Sequence, residues 1–185
     1  MAIKTARAEH IGPGLRFEVE TGSGHRLVLD DAAGNDGPRP AEMLLVAQAG
    51  CTAMDVASIL AKKRQVVERY EVEVVGVARD EPHPHVYTRI DVIHHVEGPA
   101  VEEAAVRRAI ELSATKYCTV TGQLAAGVAE IHHRYVLRRG SGEAAEVLEG
   151  EVVVTGPGES PDALGRRFLE ATAEATAEAS PSSAA

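Results

Sequence analysis

From Met43 to Met54 the chain carries no charged side chain, and apolar or small side chains occupy every face at helical spacing. A stretch with no polar face predicts a helix, over roughly 41–63, that is buried all round. Lys62, Lys63 and Arg64 follow it and suit a helix C-terminus. At about 1.5 Å per residue such a helix exceeds roughly 30 Å. One small sheet cannot cover that length, so the pattern argues for a dimer in which two such helices share a core. Cys51 lies in its middle, preceded by Gly50, which leaves room for another group to approach.

The segments around this helix read as strands in hairpins. Residues 1–8 alternate weakly, and Leu15 to Glu20 alternates better. Thr21-Gly22-Ser23-Gly24 is a turn signal, and His25 to Asp30 returns as a strand. Residues 30–40 are rich in Gly, Asp, Asn and Pro and read as a loop. Tyr70 to Arg79 places Tyr70, Val72 and Val74 on one face, and Glu81-Pro82-His83-Pro84 turns the chain into a return strand over Val86 to Val96. A helix is expected from Pro99 to about Ser113, with Val101, Ala105, Ile110 and Leu112 inward. Thr115 can cap a further helix over roughly 116–127, and Ile131 to Leu137 reads as the last core strand. The order βββ-α-ββ-αα-β, dominated by hairpins, gives an α+β class with a mostly antiparallel sheet.

After Arg139 the composition shifts. Residues 140–150 read as a linker, Glu151 to Thr155 as a short strand and Asp162 to Glu178 as a surface helix. The small polar repeats that close the chain read as disordered. The expected organisation is a main domain over 1–139 and an accessory extension over 140–185.

Composition bears on function by exclusion. With no Trp, two Phe and four Tyr, the chain is poorly equipped to stack bases or sugars. A net charge of -9 repels phosphate backbones and argues against nucleic acid. No run of about 18 apolar residues points to a membrane span. The first residues lack the apolar core of a signal peptide, so a cytoplasmic setting is expected. In a reducing compartment two cysteines are not a structural framework; if paired, they are catalytic or redox-sensing.

Cys51 and Cys118 therefore carry the candidate chemistry, although free cysteines are also common as small core residues. With Thr115 as a cap, Cys118 falls in a first helical turn, where unpaired N–H groups lower a thiol pKa. Cys51, in mid-helix, needs a cation from elsewhere. The histidines come as His83/His85, His94/His95 and His132/His133. Consecutive strand residues face opposite sides, so each adjacent pair offers one ligand per face, and no metal motif is present. Gly12-Pro13-Gly14 and Gly22-Ser23-Gly24 fit hairpin turns rather than a phosphate loop. No Gly-x-Ser-x-Gly elbow supports a hydrolase.

Two segments together carry a resemblance. Pro38-Arg39-Pro40-Ala41-Glu42-Met43-Leu44-Leu45 leads into Ala49-Gly50-Cys51-Thr52-Ala53-Met54-Asp55-Val56, and Ala109-Ile110-Glu111-Leu112-Ser113 with Lys116-Tyr117-Cys118-Thr119-Val120 follows later. Over about residues 1–138 the chain resembles the OsmC/Ohr family of thiol peroxidases. The resemblance implies an intertwined homodimer whose sheets wrap two central helices, with sites at the subunit interface. It also implies reduction of organic hydroperoxides without metal, haem or flavin. Cys51 would attack, Cys118 would resolve, and an external thiol would restore the pair. In the peroxidase members an Arg on an early strand pairs with a Glu at the start of the central helix. The nearest candidates here are Arg16 and Glu42, the latter one position later than in that pattern. Asp55 falls on the Cys51 face, where a carboxylate disfavours a thiolate. An alternative on the same fold is a non-enzymatic dimer whose apolar interface pocket binds a small or acyl ligand.

Overall fold

The computed structural model describes residues 3–127, 130–140, 142 and 145–155. The expected surface helix over 162–178 and the terminal repeats lie outside the described residues. The chain divides into two compact units, Met1–Ala47 and Gln48–Ala185, with the division falling inside the long helix.

The first unit is a three-stranded antiparallel sheet of β1 (Ala6–His10), β2 (Phe17–Thr21) and β3 (Arg26–Leu29). The β2–β3 turn closes where expected, through Gly24 at φ +83, a conformation glycine adopts without cost. The loop after β3 is organised by carboxylates. Asp30 is buried and accepts the N–H groups of Asp31 and Asp36, while Asp31 accepts those of Ala33 and Gly34. Helix α1 begins here and runs Pro40–Lys62. Its entry is tied down by Glu42, which accepts the Arg39 N–H at 2.9 Å and pairs with the Arg39 guanidinium. The backbone bond first, then the side-chain bond, hold the Glu42 carboxyl below its ordinary range.

The second unit is a four-stranded sheet in the order β4 (Arg69–Ala78), β5 (Tyr87–Gly98), β6 (Glu130–Arg139), β7 (Glu146–Thr155). The mostly antiparallel sheet holds with one exception: β5 and β6 run parallel. A parallel pair requires a crossover, and α2 (Glu103–Leu112), a π-turn (Ser113–Tyr117) and α3 (Thr119–Leu124) supply it. Helix α2 starts at Glu103 rather than Pro99, and its inward residues are Ala105, Val106, Ala109 and Ile110. They pack on Val96, Tyr135 and Leu137 of the sheet and on Val56 and Leu60 of α1. Full burial of such aliphatic side chains contributes about 1.5–3 kcal/mol each.

Two expectations are corrected. First, residues 140–150 are not simply a linker, because β7 starts at Glu146 and pairs along its whole length with β6. Its Leu148 and Val152 pack against the core, and Gly150 lies opposite Tyr135. A Cβ at Gly150 would come within 2.2 Å of the Tyr135 hydroxyl, which donates to Glu103 at 2.6 Å. The expected short strand over Glu151 to Thr155 is the second half of β7; its first half was read as linker because alternating Glu and Val before a glycine dilutes the period-two signal. Second, α1 is not buried all round in the single chain. Its buried residues form one stripe, Gln48, Thr52, Val56 and Leu60, while Met54 is 76% exposed. Gly50, Ala57, Ser58 and Ala61 are exposed beside it.

The helix has the length and mean hydropathy of a membrane-crossing segment. Gln48, Thr52 and Asp55 nevertheless bond to side chains of Ser113 and Thr121, so its polar stripe is committed to the crossover segment.

The histidines behave as strand alternation dictates. His94 and His133 face inward and are fully buried, and the two inward rings meet. Tyr70 Oη lies 2.8 Å from His94 Nδ1, and His94 Nε2 lies 3.3 Å from His133 Nδ1. His133 Nε2 is buried without a partner among the described residues. Burial first, then neighbouring histidines, pulls His94 down to about 3 and His133 to about 4.

Two predictions follow from these packing facts. Ending the chain at Arg139 strips the β6 edge of its partner and should lower Tm by roughly 5–10 °C, since a loss of a few kcal/mol translates to that range; an unchanged melting curve would show that β7 is not integral. Both buried histidines are neutral in the fold but take up protons once unfolded, below about pH 6.5. Their contribution to stability is complete above that pH and shrinks as the pH falls towards about 4. Denaturant midpoints should fall over this window, and His94→Phe should flatten the slope.

Candidate active site

The second half of α1 and the α2–α3 connection bring the two cysteines together. On α1, Cys51 and Asp55 are one turn apart and share a face. Across from them the π-turn ends at Tyr117, and Cys118 takes extended backbone angles (φ -69, ψ 103) as the N-cap of α3. The Cys51 and Cys118 sulfurs and an Asp55 carboxylate oxygen all lie within 4.8 Å of one another. Both thiols are free; Cys51 is half-buried and Cys118 is 5% exposed.

A short polar scaffold fixes this juxtaposition. Ser113 donates to Asp55 Oδ2 at 3.1 Å, and its hydroxyl also lies 3.1 Å from that of Thr52. Gln48 Nε2 donates to Thr121 Oγ1 at 2.9 Å. The Thr121 N–H donates to Cys118 Sγ at 3.3 Å. Gln48, Thr52, Ser113 and Thr121 are all fully buried, so losing one partner would strand the other in a low-dielectric interior.

This geometry corrects the cap expectation. Thr115 does not cap the following helix; its hydroxyl donates to the Glu111 carbonyl at 2.6 Å. Cys118 caps it instead. The thiol is accordingly not acidified: burial, then a hydrogen bond to Cys51, raises it, and the opposing bonds from Thr121 do not prevail. The helix-end argument for Cys118 as the more acidic thiol fails because burial disfavours the anion more than one N–H favours it.

The family described as OsmC-like protein matches residues 33–132, a span containing both cysteines. The chain belongs to the OsmC-like protein family. It is 43% identical over 122 residues to Protein YhfA of Escherichia coli K12, covering 66% of this chain and 90% of that one. A hypothetical protein from Aquifex aeolicus VF5 superposes with a TM-score of 0.67 at 28% identity, covering 76% of this chain and all of the other. An organic hydroperoxide resistance protein from Elizabethkingia anophelis shares the fold, with a TM-score of 0.52 at 12% identity over 75% of this chain and 97% of that one.

Within this OsmC-like chain the other two expected site residues are not paired with each other. Arg16 binds Asp36 at 2.9 Å, and Glu42 is taken by Arg39. Arg16 Nε is buried with no hydrogen-bond partner among the described residues, so part of its donor capacity is uncommitted. Residues that sequence reasoning did not single out are Ser113, Thr121 and Gln48. Their signal was present only as polar residues within apolar stretches. Unit one also holds an apolar groove of about 470 Å³ lined by Leu15, Phe17, Val19 and Leu29, with Arg39 at its edge and no cysteine in its wall.

Unequal exposure predicts unequal reactivity. A small alkylating reagent at pH 8 should label Cys51 about tenfold or more faster than Cys118. Peptide mapping after partial labelling reads this directly, and equal rates would contradict the geometry of the pair.

Proposed function

We propose that this protein reduces organic hydroperoxides with the Cys51–Cys118 pair, as part of defence against peroxide stress. The observation that carries this reading is the approach of two free sulfurs, one half-exposed and one buried, on segments far apart in sequence. Family membership supports it, as does the shared fold of a protein described as conferring organic hydroperoxide resistance.

The chemistry balances without a cofactor. The Cys51 thiolate attacks the distal peroxide oxygen, the O–O bond breaks, and the alkoxide leaves as the alcohol after taking a proton. Cys51 is then a sulfenic acid. The Cys118 thiol attacks that sulfur, water leaves, and a disulfide forms. Two equivalents of an external thiol restore both cysteines by exchange and leave as their own disulfide. Cys118 suits the second step: burial keeps it protonated and out of reach of peroxide, and it already lies beside Cys51. Asp55 sits beside the pair, held in place by Ser113. By its place in the family pattern, Arg16 is retained as the candidate cation for the Cys51 thiolate, and Glu42 as the carboxylate that orders the helix entry.

The exposed stripe of α1 favours a homodimer, in which a second copy covers Met54 and its small neighbours. An apolar helix face of this length left in water is unstable in a monomer. Met54→Asp should shift the protein to monomer in sedimentation without unfolding it; a dimer of unchanged affinity would show that another face pairs.

The two serine variants test the chemistry. Cys51→Ser should abolish consumption of cumene hydroperoxide. Cys118→Ser should complete one oxidation and leave a sulfenic acid at Cys51 that dimedone traps. Arg16→Ala should slow the first step by about tenfold or more. The reverse pattern for the serines would make Cys118 the nucleophile. A parent protein whose thiols ignore organic hydroperoxide would overturn the peroxidase reading and favour a ligand-binding role for the apolar groove.

A further inference from the structure

The same three side chains have a second capacity that does not depend on peroxide chemistry. Two thiols and a carboxylate converge within 4.8 Å, on two segments held by buried polar bonds. We infer that Cys51, Cys118 and Asp55 bind one thiophilic divalent cation, Zn²⁺ above all, when both cysteines are reduced. The inference uses the residues of the proposed peroxidase site but stands without peroxidase activity.

Donor chemistry comes first. Zinc favours cysteine sulfur at about 2.3 Å and carboxylate oxygen at about 2.0–2.2 Å in tetrahedral geometry. Ligand atoms around such an ion lie roughly 3.5–3.8 Å apart. With all three donor atoms already within 4.8 Å of one another, closing onto an ion asks for changes of roughly an ångström in their separations.

The surroundings of the donors point the same way. Metal-bound thiolates and carboxylates are oriented by hydrogen bonds from the protein. Cys118 Sγ already accepts the Thr121 N–H, and Asp55 Oδ2 already accepts the Ser113 hydroxyl. These donors would remain in place and offset charge on the bound ligands. Cys51 is only half-buried, so an ion has an approach to its sulfur. Three protein ligands leave a fourth position for water or a small thiol. Among the described residues, this is the group whose ligand atoms converge; the stacked His83 and His85 are exposed and form no such set.

The consequence is regulatory. Binding releases the thiol protons to solvent and engages both sulfurs, so the metal form cannot attack a peroxide. Conversely, disulfide formation removes both sulfur donors. Hydroperoxide and two thiols give alcohol, water and the disulfide, so oxidation and metal retention exclude each other.

The test uses the full-length reduced chain under anaerobic conditions. Zn²⁺ is titrated in competition with a chromophoric chelator, and Cd²⁺ is used to read thiolate-to-metal charge transfer. The expected result is one ion per chain and a charge-transfer band. Both should vanish in Cys51→Ser and Cys118→Ser and in protein oxidised to the disulfide with diamide. Asp55→Asn should weaken binding about 10–100-fold, while His83→Ala/His85→Ala should bind as the parent does. Zinc binding that survives loss of either cysteine would overturn the site, as would Asp55→Asn binding of parental strength or no binding above the level of the serine variants. None of these readings requires turnover, so failure of the peroxidase assay and failure of the metal titration are separate results.

Discussion

The site depends on one structural interaction, the docking of the buried stripe of α1 onto the segment from Ser113 to Thr121. Gln48 and Thr52 sit at i and i+4, with Asp55 beside them, and each finds a partner in that segment. These bonds are buried, and a buried polar group left unpaired costs about 1–3 kcal/mol. The pairing therefore admits essentially one register between the two segments. Cys51 and Cys118 are carried to their common position by that register.

The same arrangement sets unequal roles. Burial makes Cys118 a reluctant anion and a protected thiol, while Cys51 keeps access to solvent. A dithiol of one exposed and one guarded member suits stepwise oxidation and also suits capture of a soft cation. The two proposed uses draw on the same electron pairs, so under that proposal the redox state of the pair determines which is open. The crossover supplies the guarding geometry: a single π-turn lets the chain leave α2 and re-enter a helix with Cys118 itself as the cap.

Much of the fold was legible along the chain. Alternation located β4, β5 and β6, the turn signal located the β2–β3 hairpin, and the uncharged run located α1. The second half of β7 was legible, but its first half was obscured by Gly150, whose small size answers the Tyr135 ring on the neighbouring strand rather than any local preference. The start of α2 was misplaced by a proline that precedes the helix instead of opening it. Opposite facing of adjacent histidines was legible, but the meeting of His94 with His133 was not, since it needs the parallel pairing of β5 with β6.

By itself, the sequence determined the α+β class and the family and pointed to the two cysteines as the candidate site, because periodicity and motif are properties of neighbours along the chain. Tertiary structure decided everything that depends on residues distant in sequence. It gave Arg16 to Asp36 and Glu42 to Arg39, placed Asp55 with both sulfurs, and raised the Cys118 thiol that a helix end alone would have lowered. The physical reason is the same in each case. Ion pairing and desolvation fall off over a few ångströms of space, and only folding sets which side chains share those ångströms.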